Sequence, residues 1–178
     1  MQVDAPRTDM AREALAHIDA LYGYAHYLAR DAQRAEDLVQ ETFARCIAGA
    51  HGFAPGTALK AWLFRILRNA FLDQRRREAN SPVRGELDLE LALDVGAGVD
   101  EPLRGDCEVE QLRGMVAAEI EAALRALPEI QRSVVLLDFE GLSESEMAAV
   151  LGCAAGTIKS RLARARAALR VQLKEYAK

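Results

Sequence analysis

Apolar residues return every three or four positions through two long stretches of this chain and lose that period in between, which points to packed helices. In residues 11–29 the recurring set is Leu15, Ile18, Leu21, Tyr22, Ala25 and Leu28, and it predicts one helix. Asp31 is placed to cap a second helix, on which Ala35, Leu38, Val39, Thr42, Phe43, Cys46 and Ile47 share a face. Glu36, Asp37, Gln40, Glu41 and Arg45 lie opposite. Gly49, Gly52, Pro55 and Gly56 then break the chain into a loop. A third helix is predicted over about 59–77, with Leu63, Ile66, Leu67 and Ala70 on one side and Arg65, Arg68, Asn69, Arg75 and Arg76 on the other. A β-sandwich or barrel has little to draw on, because only 6% of the residues are aromatic.

Residues 79–110 carry no helical period. Gly85 to Asp94 alternates apolar and acidic residues, a strand-like pattern, but no other segment offers it a partner. With two basic residues against nine acidic ones, net −7, an extended acidic linker is the better expectation. Helical spacing resumes at Leu112 and stops before Pro128, which pushes the preceding residue out of helical space. A helix carrying Ile130, Val134, Leu136 and Leu137 follows, closed by Gly141. Ser143-Glu-Ser-Glu146 has capping-box spacing and opens a short helix through Leu151. After a turn at Gly152, a last helix from about 155 to 176 aligns Ile158, Leu162, Ala165, Leu169 and Leu173. The expected fold is all-α, with two small helical domains, 11–78 and 111–178, joined by the acidic linker 79–110. Short helix, glycine turn and basic helix make the C-terminal domain a helix-turn-helix.

The net charge of −4 argues against a nucleic-acid partner until the charge is located. Residues 60–78 hold six basic side chains against two acidic, net +4, and residues 156–178 hold seven against one, net +6. Two basic segments flanking an acidic one indicate contact with a polyanion. On the last helix, Thr157, Lys159, Ser160 and Arg161 occupy the first turns, where a recognition helix meets base edges, and Arg164, Arg166 and Arg170 follow at positions suited to phosphates. The other basic helix lies beside the Phe53–Leu59 loop, and Lys60, Arg65, Arg68, Asn69, Arg75 and Arg76 with such a loop suit extruded bases. Trp62 at their junction fits either a stacking surface or a core position. Asp37, Gln40 and Glu41 form an acidic patch suited to a protein partner with basic helices.

Catalysis finds no support. No GxSxG, phosphate-cradling glycine loop or HExxH is present, and His17, His26 and His51 lack partners at metal-ligand spacing apart from the loose pair Cys46 and His51, which reads as a coincidence. No cofactor and no metal are expected. Cys46, Cys107 and Cys153 are too few and too scattered for a disulfide framework, and Cys46 and Cys153 read as small buried hydrophobes. No apolar run approaches a membrane span and the N-terminus lacks signal-peptide character, so a cytoplasmic protein is expected.

Three stretches resemble the sigma-two domain of bacterial extracytoplasmic-function (ECF) sigma factors: Ala35-Glu-Asp-Leu-Val-Gln-Glu-Thr-Phe43, Phe53-Ala-Pro-Gly-Thr57 and Lys60-Ala-Trp-Leu-Phe-Arg-Ile-Leu-Arg-Asn69. Ala126-Leu-Pro-Glu129, Arg132, Glu140-Gly-Leu-Ser143 and Gly156-Thr-Ile-Lys-Ser-Arg-Leu-Ala-Arg-Ala-Arg166 resemble the sigma-four domain. The wording of Gly152 to Ser160 is similar to the general-stress branch of that family. The resemblance implies a subunit that binds RNA polymerase core and directs it to promoter DNA. Asp37, Gln40 and Glu41 would dock on the β′ clamp helices. Lys60, Trp62, Arg65, Arg68, Asn69, Arg75 and Arg76 would hold the melted minus-ten strand. Thr157, Lys159, Ser160, Arg161, Arg164 and Arg166 would read the minus-thirty-five element, with the domain's apolar flank on the β flap. An anti-sigma factor is the further partner implied. The competing reading is a sigma-mimicking protein that titrates an anti-sigma factor without touching DNA; the two intact basic helices count against it.

Overall fold

A computed structural model describes the backbone of residues 5–49, 53, 58–80 and 107–174, and the side chains of residues 10–49, 53, 58–80 and 116–174. Among these residues the fold is all-α, in two helical clusters. The first comprises α1 (Ala5–Leu15), α2 (Ile18–Ala29), α3 (Ala32–Ala48) and α4 (Leu59–Asn80). The second comprises α5 (Cys107–Ala126), α6 (Glu129–Phe139), α7 (Glu144–Leu151) and α8 (Ala155–Gln172). The linker expected between them falls mostly outside the described residues; α4 continues three residues beyond the expected Arg77, and α5 starts five before Leu112.

The single helix expected over 11–29 is two. The ladder breaks at Ala16 and His17, whose N–H groups turn back to Glu13 and Ala14 rather than continuing four residues down. The break rotates the register, so that Ala14, Leu21, Tyr24 and Ala25 are buried while Leu15, Ile18 and Tyr22 face solvent. Elsewhere local chemistry sets the boundaries. Asp31 accepts a 2.7 Å bond from the Arg34 N–H and starts α3. Ser143 and Glu146 close a reciprocal box at the start of α7. The Ser143 N–H donates to Glu146 Oε2 at 2.7 Å, and these bonds hold the Glu146 carboxyl below its ordinary value. Gly152, at φ 64°, ends α7 in a left-handed turn that a β-carbon would strain.

Helix α4 is buried on more than the one face its period predicts. Leu63, Leu67 and Ala70 are buried as expected, and so are Ala61, Phe64 and Phe71. The reason is that α4 lies between the clusters. One continuous apolar core joins Leu21, Leu38, Leu63, Phe64 and Leu67 to Val134, Leu137, Leu142, Met147, Val150 and Ile158. Phe64 meets the Tyr24 ring edge-on at 5.4 Å. The Tyr24 hydroxyl is buried beside Ser133 of α6 without a hydrogen bond of good geometry among the described residues, and burial raises its pKa.

Two ion pairs fasten α4 to both ends of α6. Lys60 Nζ donates to the Glu140 carbonyl at 2.6 Å and to its carboxylate at 2.8 Å, at the C-terminal end of α6 where free carbonyls favour a cation. Arg75 reaches Glu129, the first residue of α6, at 3.0 Å. Arg132 works inside the second cluster. It is 4% exposed, donating from Nε to the Leu124 carbonyl and from Nη2 to those of Arg125 and Leu127. These are carbonyls around the end of α5, which a helix leaves without internal donors.

Candidate nucleic-acid and polymerase interface

The helix-turn-helix of α7 and α8 is anchored from within. Ile158, Leu162 and Ala165 are buried, and α8 packs on α6 and α7. This leaves Lys159, Ser160, Arg164 and Arg166 exposed, with Thr157 and Arg161 half-buried. Ser160 donates to the Thr157 carbonyl at 3.0 Å, Arg164 lies back along Ser160, and Arg166 pairs with Asp138 of α6 at 2.7 Å. Arg161 Nη1 approaches the Cys153 sulfur at 3.5 Å in the turn. Cys46 is fully buried and Cys153 half-buried, both as free thiols; burial pushes the Cys46 pKa up.

The basic side of α4 is divided. Arg65, Asn69 and Arg76 are exposed, the last 3.6 Å from Asp73, and Arg68 is half-buried. Lys60 and Arg75 are the two that reach the second cluster, and Arg75 also lies over the Phe71 ring at 5.7 Å. Trp62 is half-buried, its ring 5.2 Å from that of Phe53. A β-carbon at Gly49 would sit 3.0 Å from the Arg45 carbonyl oxygen and in ordinary contact, at 3.7 Å, with the same indole. Residues 54–57 of the adjoining loop lie outside the described residues.

On α3, Asp37, Gln40 and Glu41 are exposed together. Glu41 accepts from Arg45 at 2.7 Å, and Arg45 reaches on to Asp73 of α4 at 3.1 Å. The Glu41 bond is the main reason the Arg45 pKa rises. Glu129, Glu140 and Ser133, which meet α4 and α2 across the seam, were not singled out as site residues by sequence; Ser133 adjoins the apolar run Val134 to Leu137, and Glu129 and Glu140 stand further out on either side of it.

Among the described residues no group of three or more His, Cys, Asp or Glu side chains could hold a metal ion. What stands on the surface instead is a basic recognition helix on one cluster, and an acidic helix face beside a partly engaged basic helix on the other. Residues 14–81 match the model of Sigma-70 region 2, and residues 117–169 match that of Sigma-70 region 4. The chain belongs to the ECF RNA polymerase sigma factors, which bind the polymerase core and promoter DNA and are not enzymes. It is 39% identical over 166 residues to the ECF sigma factor EcfG of Rhodopseudomonas palustris (strain TIE-1), covering 92% of this chain and 85% of that one. Among solved structures it resembles the sigma factor RpoE in complex with the anti-sigma factor NepR from Bartonella quintana, with a TM-score of 0.68 and 34% identity over 93% of this chain and 97% of that one. The fold is also shared with CnrH, solved in complex with the cytosolic domain of CnrY, at a TM-score of 0.61 and 24% identity over 96% of each chain.

The expectation of a cytoplasmic protein is corrected. CnrH, which shares the fold, is solved in complex with the cytosolic domain of CnrY, and residence in the cytoplasm is not carried over to this chain. The described helices include none long and apolar enough to cross a membrane, and that fact does not bear on where the chain is held.

Proposed function

We propose that the two basic helices divide promoter recognition. Helix α8 reads the minus-thirty-five element with Thr157, Lys159, Ser160 and Arg161 and fixes the phosphates with Arg164 and Arg166. The face of α4 holds the melted minus-ten strand through Lys60, Arg65, Arg68, Asn69, Arg75 and Arg76, with Trp62 shaping the adjacent loop. Asp37, Gln40 and Glu41 dock on the β′ clamp helices, and the second domain rests on the β flap. An anti-sigma factor competes for these faces, as the complexed state of the relative from Bartonella quintana suggests.

The observation that carries this reading is the exposure of Lys159 and Ser160 at the start of a helix whose other face is locked into the α6–α7 core. Side chains so placed add nothing to packing and face solvent, where Lys159 can reach a base edge and Ser160 can exchange its local bond to the Thr157 carbonyl for one. The test is in vitro transcription with purified bacterial core polymerase on a library of promoter fragments. Transcripts that depend on the protein, and an upstream preference altered by Lys159→Ala or Ser160→Ala, are the expected results. If both variants keep the wild-type preference, base reading does not lie on that turn.

A further inference from the structure

A cleft of about 450 Å³ opens where the two clusters meet, walled by the end of α2, the start of α3, the second half of α4 and the start of α6. Its volume lies within the usual range of small-ligand sites. Four arginines from both clusters line it: Arg30, Arg34, Arg75 and Arg132. Two already have a carboxylate, since Arg34 faces Glu78 at 3.4 Å and Arg75 faces Glu129 at 3.0 Å. Among the described residues the other two have no ion pair of their own, although the Glu129 carboxylate acts on Arg132 from a distance. The Arg30 side chain has no hydrogen-bond or ion-pair partner among the described residues, and its backbone is held at φ 57°, a left-handed conformation that costs a residue with a β-carbon. Arg132 is buried against three carbonyls, which satisfy donors without neutralising charge. Burial and the facing charge of Arg30 both lower its pKa, so the two guanidinium groups repel each other across the cleft. Tyr27 and Phe71 add aromatic surface to the same walls.

We propose that this cleft binds a nucleoside polyphosphate, with the phosphates between Arg30 and Arg132 and the base against Tyr27. Phosphate suits the position because the Arg30 guanidinium fork can give it two parallel hydrogen bonds, while Arg132, whose Nε and Nη2 are held by carbonyls, adds its positive charge from the facing wall. A run of carboxylates fits less well. It would spread its charge along the cleft and meet Glu78 and Glu129, which remain on their arginines. The walls come from both clusters, so a bound ligand favours the joined arrangement in which Lys60 and Arg75 are held by α6. That consequence rests on the promoter role proposed for those two residues; the binding itself does not.

The full chain is titrated with GTP, with inorganic tripolyphosphate and with a hexaglutamate peptide by calorimetry. Saturable GTP binding, tighter than that of either other probe, is expected. Arg30→Ala is expected to weaken it about tenfold or more, the scale of one lost charge-assisted contact. Arg12→Ala, on α1 and away from the cleft, serves as the control for bulk charge and leaves the affinity unchanged. The site is overturned if GTP fails to bind, if Arg30→Ala binds like the unaltered chain, or if Arg12→Ala weakens binding as much. Tripolyphosphate binding as tightly as GTP overturns the base contact, and hexaglutamate binding as tightly overturns the ligand class. A dye pair on α3 and α8 reads the coupling separately, with GTP expected to raise energy transfer. GTP binding with no change in transfer overturns the coupling and leaves the site.

Discussion

Helices α4 and α8 look alike as sequence, since each is amphipathic, basic and bounded by a break. In the folded chain they differ in what surrounds them. Helix α4 buries seven of its 22 residues and lies between both clusters, whereas α8 buries three of 18 and sits at the edge of one. Two cations of α4 are taken up by α6, through Lys60 and Glu140 and through Arg75 and Glu129. On α8 the corresponding engagement is the exposed pair of Arg166 with Asp138 inside its own cluster. Charge on a helix thus states affinity for an anion, and packing decides whether that charge is on offer. Helix α8 is presented as it stands; α4 offers all its cations only when the clusters part.

The sharpest way to break this contrast is to remove the packing of α4. Phe64→Ala deletes a fully buried ring, and an unfolding free-energy loss of about 3–5 kcal/mol is expected in a denaturant titration. A loss below about 1 kcal/mol would mean that α4 is no more central than α8. Next in size is Lys60→Ala, which leaves the half-buried Glu140 carboxylate without its cation and should cost about 1.5–3 kcal/mol. Glu140→Gln should cost less, and the double variant little more than Lys60→Ala alone, if the two act as one pair. Simple addition of the two losses would remove the fastening role.

Tyr24→Phe should have the opposite sign. It takes away a buried hydroxyl that makes no hydrogen bond of good geometry among the described residues, so the seam is expected to gain about 1 kcal/mol. A loss of similar size would show that the hydroxyl has found one, with Ser133 the nearest candidate. On the α8 side, Ser143→Ala removes the cap of α7 for about 1 kcal/mol. The Glu146 carboxyl of that cap lies below its ordinary value, so it protonates more readily in the unfolded chain. Its stabilisation is complete above the ordinary carboxylate value and is lost as pH falls through the lowered one. Glu146→Gln should therefore flatten the acid side of the stability profile, and an unchanged acid limb would dismiss the box as a source. Smallest in stability is Arg164→Ala, expected within about 0.5 kcal/mol of the unaltered chain. It should nonetheless weaken binding evenly across promoters and lower the salt slope by about one unit.

Elements closed by their own neighbours were legible in the sequence. Asp31, the Ser143–Glu146 spacing and Gly152 mark boundaries through bonds spanning a few residues, and each acts as a cap in the fold. The buried face of α8 followed from its period for the same reason. The break at Ala16 and His17 was not legible, because neither residue is a helix breaker and the apolar spacing runs through it unbroken. The second buried side of α4 escaped because a period identifies one face, and Phe64 and Phe71 acquire theirs only from the other cluster. Lys60 and Arg75 were legible as cations, but their carboxylates lie 80 and 54 residues away.

The core shared across the seam bears on how such a factor can be handled in a cell. Were the clusters to separate in water, Leu142, Met147 and Val150 would lose the cover that places them in the same core as α4. A newly wetted apolar strip is what chaperones bind and what transiently exposes a chain to proteolysis. Release of this chain is therefore safest as a handover, with a new surface arriving as the old one leaves. Its lifetime outside any grip should shorten with whatever loosens the seam.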